Sequence, residues 1–140
     1  MWKTDFVTYE QAKDLKILGF RKKCLYHYNK DGILFSNSSS NGEGSGIYVE
    51  DLECSYNKKD NEYIDAPTIY HTQKWLAKEK KYYINPDPDF SDSWFVDIVN
   101  LKNSDLIHLW NVEGLPKVYY SYEDALAAGI TETIKLLNNN

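Results

Sequence analysis

Apolar positions along the chain fall into helical and strand-like patterns that alternate without a regular repeat. Val7-Thr8-Tyr9-Glu10-Gln11 fits a capping box with Val7 as a staple, and Ala12, Leu15 and Leu18 follow on one face before Gly19. This spacing predicts a helix from Thr8 to Gly19. Ala66-Pro67-Thr68 opens a second helix running to about Lys80, with Ile69, Thr72, Trp75 and Leu76 on its apolar side. Ser121 caps a third, in which Glu123 and Asp124 suit the positive helix start and Leu126, Ile130, Ile134 and Leu137 form a stripe. Gly129 interrupts that helix at a cost of up to ~1 kcal/mol against alanine, which a close helix–sheet approach would explain.

Strand-like runs are shorter. Cys24 to Tyr28 and Ile33 to Phe35 flank Asn29-Lys30-Asp31-Gly32, a hairpin signal. Trp94 to Leu101 and Leu106 to Val112 flank Lys102-Asn103-Ser104-Asp105, a second hairpin. Ile47 to Leu52, Tyr82 to Ile84 and Lys117 to Tyr120 are further strand candidates, the last two as edges beside proline-bearing loops. The order lacks βαβ alternation. The expected fold is therefore α+β, a mainly antiparallel sheet with two or three helices packed on one face.

A two-residue turn at Asn103-Ser104 would set Lys102 opposite Asp105, Val99 opposite His108 and Asp97 opposite Trp110. Alternation then separates two faces. Trp94, Val96, Ile98, Ile107 and Leu109 make the core face. Phe95, Asp97, Val99, Leu101, Leu106, His108, Trp110 and Val112 make the other, with Asp97 and His108 on diagonal positions. A carboxylate that orients an imidazole is a general-base arrangement, so Asp97 and His108 are the catalytic candidates. The plainer alternative is a polar pair on an exposed sheet face, and spacing marks no nucleophile or third member.

The length of 140 residues suits one domain, here 1–140, with a flexible polar loop at 36–46 and a frayed tail at 138–140. Asn85 to Ser93 reads as an acidic, turn-rich loop. Its Asp87-Pro88-Asp89 opening resembles a calcium loop, but Asp92 stands where glycine is required and Ile98 where a bidentate glutamate is required. Gly42 to Gly46 lacks the Gly-Lys-Ser/Thr ending of a phosphate loop. His27, His71 and His108 share no ligand spacing with each other or with Cys24 and Cys54, so no metal and no cofactor is expected.

Net charge is −5 with no basic block, although Lys74, Lys78, Lys80 and Lys81 lie close together. Nucleic acid is therefore an unfavoured partner. Two cysteines make no disulfide framework, and no apolar run approaches the ~18 residues of a membrane helix, so the expected setting is cytoplasmic with no membrane partner. The 12 tyrosines exceed what one small core buries. Either strands recruited them for their propensity, or some form a binding surface; Trp110, Tyr119 and Tyr120 are the candidates. The expected partner is a protein, or a second copy of the chain.

Val7 to Ala12, Ala66-Pro67-Thr68 with Trp75-Leu76, and Ser121 to Leu126 together resemble small proteins of phages, prophages and related elements of gut Bacteroidetes. The resemblance implies an accessory role in a bacterial or phage-infected cytoplasm and carries over no catalytic residue.

Overall fold

The computed structural model describes residues 3–36 and 63–139. The expected strand at Ile47 to Leu52, Cys54 and all of the 36–46 loop after Ser36 lie outside the described residues. Among the described residues, three α-helices and six strands occur in the order α1 (Tyr9–Ile17), β1 (Tyr26–Tyr28), β2 (Leu34–Ser36), β3 (Ile64–Asp65), α2 (Ile69–Lys80), β4 (Tyr82–Pro88), β5 (Trp94–Asn100), β6 (Leu106–His108) and α3 (Tyr122–Asn138). The fold is α+β and its pairings are antiparallel, but the strands form two three-stranded sheets where one was expected. The chain gathers into two compact units, Phe6–Pro67 and Thr68–Asn140 with the first five residues. No helix among the described residues is long and apolar enough to cross a membrane.

In the Phe6–Pro67 unit, Thr8 caps α1 through a complete capping box: its hydroxyl accepts from Gln11 N–H at 3.1 Å, and the Gln11 side chain accepts from Thr8 N–H at 2.9 Å. β1 is the middle strand, with β2 on one side and β3 on the other. The two-residue β3 escaped the sequence reading because a run that short has no periodicity. Tyr28 shows how this unit closes. Its ring packs edge-on to Tyr9 and its buried hydroxyl donates to Val7 O at 2.6 Å.

The β1–β2 turn has a counterpart in the other unit. Asn29 Oδ1 accepts from Asp31 N–H and Ile33 N–H, and Asn111 Oδ1 accepts from Glu113 N–H and Leu115 N–H, all at 2.9–3.0 Å. Gly32 (φ +77°) and Gly114 (φ +79°) occupy the same place in the two loops, in a region costly for any residue with a Cβ. Both sequences read aromatic-Asn-x-acid-Gly-aliphatic, and Tyr28↔Leu34 and Trp110↔Pro116 close them in the same register.

In the other unit, α2 and α3 pack on one face of the β4-β5-β6 sheet. Ile69, Thr72, Trp75 and Leu76 are buried from α2, and Leu126, Ile130 and Ile134 from α3, while Leu137 at the end of the stripe is only half-buried. Ile84, Val96 and Ile98 receive them from the sheet. A Cβ on Gly129 would overlap Ile84 Cγ2 and come within 3.0 Å of Val96 Cγ2, which is the close approach that justifies the glycine.

β4 runs through what reads as a loop. Asn85 to Pro88 pair with Asp97 to Trp94, and only residues 89–93 form the turn. Trp94 exchanges both backbone hydrogen bonds with Tyr119 on its other side, so by alternation the β4 residues opposite 94, 96 and 98 point their polar groups away from β5. Pro86 and Pro88 stand at two of these positions, where no N–H is required, and Ile84 at the third gives its outward carbonyl to Gln73 Nε2 at 2.7 Å. This edge is thereby closed to further strands.

Candidate functional site

β5 and β6 pair as Asp97↔His108, Ile98↔Ile107 and Val99↔Leu106. This corrects the expected register by two residues: Asp97 faces His108 directly, not Trp110. The turn chemistry explains the slip. Asn100 Oδ1 accepts from Lys102 N–H, Asn103 Oδ1 accepts from Asp105 N–H, and Ser104 takes positive φ, so the loop closes with Asn100 N–H on Asp105 O. A shift of two keeps every side chain on its expected face. Val96 and Ile98 are buried under the helices, whereas Leu101, Leu106, His108, Trp110 and Val112 are exposed.

His108 Nδ1 and Asp97 Oδ1 are 2.6 Å apart. An ionised carboxylate only accepts, so the bridging proton belongs to Nδ1, and Nε2 is the nitrogen left for other contacts. The Trp110 ring leans on the imidazole, with centroids 5.6 Å apart. Among the described residues no other hydrogen bond reaches this imidazole. The pair also has a structural place. It is the last pairing before β6 leaves β5, because at Trp94 the neighbour of β5 is Tyr119, and the chain between returns through a Lys117 N–H bond to Leu109 O. A charged hydrogen bond across the last pair holds the fork.

The aromatic candidates separate at the same fork. Trp110 is 53% and Tyr120 84% exposed. Tyr119 is half-buried, and burial with the nearby Glu132 carboxylate raises its hydroxyl pKa. Two exposed residues were not singled out from the sequence, Phe90 and Val112, both fully exposed. Each sits in a turn stiffened by side chains: Asp89 accepts from Phe90 N–H and from the Ser91 hydroxyl, and Asn111 holds the loop that carries Val112. Phe90 shows in the sequence as a lone apolar residue inside a polar turn, whereas Val112, expected at the end of a strand, sits in the 111–115 turn with Leu115.

Because β6 runs antiparallel to β5, the 89–93 and 111–115 turns lie at the same end of the sheet. The large apolar side chains exposed there are Phe90, Trp110, Val112, Leu115, Val118 and Tyr120. Asp87, Asp92 and Glu113 are exposed beside them, with Asp89 half-buried and Lys117 as the single cation of the segment 103–120. Among the described residues no group of three or more His, Cys, Asp or Glu side chains converges to hold a metal ion. The Asp89 carboxylate is engaged by its own turn.

No protein-family model, curated protein or solved structure matches this chain.

Proposed function

We propose that this chain is a non-enzymatic protein-interaction or regulatory protein, an accessory of a phage or mobile element that acts in the host cytoplasm. The observation that carries the reading is the apolar end of the β4-β5-β6 sheet. Solvent-exposed apolar residues are ordinary when scattered, but six large ones gathered at one end, two of them fully exposed on stiffened turns, are the composition of a contact surface. The phage setting rests on the resemblance of the three helix starts.

Photo-crosslinking in cells tests it. A benzophenone side chain at position 90 or 112 gives discrete protein adducts, and one at position 135, on the outer face of α3, gives none. Equal labelling at all three positions removes the reading.

The 2.6 Å contact between His108 and Asp97 favours a second reading, a small enzyme or small-molecule-binding domain that uses this pair. A fragment screen followed by the His108 ring signals in NMR tests it. Ligands that shift His108 and lose affinity in Asp97→Asn support it, and a screen that leaves those signals unmoved sinks it.

A further inference from the structure

Resting on the interaction reading, we infer that the partner at this end of the sheet is a basic protein segment, with lysine or arginine interleaved among apolar side chains. Three observations converge on that chemistry.

The first is charge. The apolar residues Phe90, Val112 and Leu115 share their turns and strand ends with Asp87, Asp89, Asp92 and Glu113, and across 86–95 and 109–120 Lys117 is the single cation. Lys102 sits in the β5–β6 loop, at the opposite end of the sheet. A surface of this sign draws a cationic partner and repels an anionic one, and juxtaposed like charges are strongly unfavourable. A second copy of the chain, at net charge −5, would bring the same carboxylates against themselves. Anionic lipid and nucleic acid meet the same repulsion.

The second is the mode of contact. β4 is closed to strand addition by Pro86, Pro88 and the Gln73 side chain on Ile84 O, and β6 is three residues long. Recognition through backbone pairing is thereby disfavoured on this sheet, and side chains on the turns must carry it.

The third is preorganisation. The Asp89 and Asn111 side chains hold the backbones that present Phe90 and Val112, so little ordering remains to oppose binding.

The experiment uses the full chain, isotopically labelled, with three probes: a synthetic peptide of alternating lysine and leucine, its glutamate–leucine counterpart, and vesicles of phosphatidylcholine with phosphatidylglycerol. The lysine–leucine peptide should shift the Phe90 and Val112 amides and the Trp110 indole. The double variant Asp92→Lys/Glu113→Lys should weaken it by about tenfold. Phe90→Ser/Val112→Ser should weaken it too, with far-ultraviolet circular dichroism unchanged.

Equal binding of both peptides, or binding that survives the charge reversal, overturns the basic partner while leaving an interaction surface in place. No binding of either peptide, with Phe90 and Val112 signals unmoved, overturns both. Vesicle binding, or a mass that doubles with concentration in ultracentrifugation, assigns the surface to lipid or to a second copy and also overturns the inference.

Discussion

Gly129 lies against Ile84 so closely that the β-carbon it lacks would occupy the space of Ile84 Cγ2. The contact sets two effects in opposition. Alanine at position 129 improves helix propensity by up to ~1 kcal/mol, while forcing a methyl into a filled core costs about 1–3 kcal/mol. Ile84 is β-branched and fully buried, so it has no free end to move aside. Gly129→Ala is therefore expected to lower stability in chemical denaturation. A gain in stability would mean that α3 stands off the sheet.

Ile130, the next residue of α3, is fully buried, whereas Lys135 is exposed and paired with Glu132 at 3.2 Å. Ile130→Ala should cost about 2–5 kcal/mol through lost burial and the cavity left behind. Lys135→Ala should change stability by less than about 0.5 kcal/mol, since exposed pairs contribute little. Equal small losses in urea titrations of the two variants would make α3 peripheral.

The Asp97–His108 hydrogen bond is short but partly open to solvent, with the imidazole 46% and the carboxylate 21% exposed. Screening limits what such a pair contributes to about 1 kcal/mol at most. A double-mutant cycle with Asp97→Ala and His108→Ala should give a coupling energy of that order, reduced in high salt. A coupling near zero would show that the fork is held by its backbone bonds alone.

His27 sits in the middle strand β1 with only 2% exposure, edge-on to the rings of Phe35 and Tyr63, which also contact each other. Burial lowers its pKa to about 4. The unfolded chain takes up this proton near pH 6.5 and the folded chain only near 4, so the folded state binds fewer protons between those values. Stability should fall as pH drops through that window, by up to roughly 3 kcal/mol. His27→Gln should flatten the fall between pH 6.5 and 4.5, where most carboxylates remain ionised. An unchanged slope would place the His27 titration near its ordinary value.

Helix starts were legible in the sequence because capping joins groups three residues apart: Thr8 to Gln11, Thr68 to His71 and Ser121 to Asp124 are hydrogen-bonded as their spacing predicts. The Asn29–Gly32 turn and the two faces of the β5–β6 hairpin were legible for the same reason, since turn chemistry and alternation are local. The tertiary structure decided what depends on distant partners. It divided the strands between two sheets, drew Pro86 and Pro88 into an edge strand, and set Asp97 opposite His108 through the side-chain bonds of Asn100 and Asn103. It also put Ile84 where Gly129 must yield, and brought Phe90 and Val112, 22 residues apart in sequence, to one end of a sheet. Local hydrogen bonds and periodicity are written within a few residues, whereas strand partition and surface composition follow from which distant segments bury their apolar faces together.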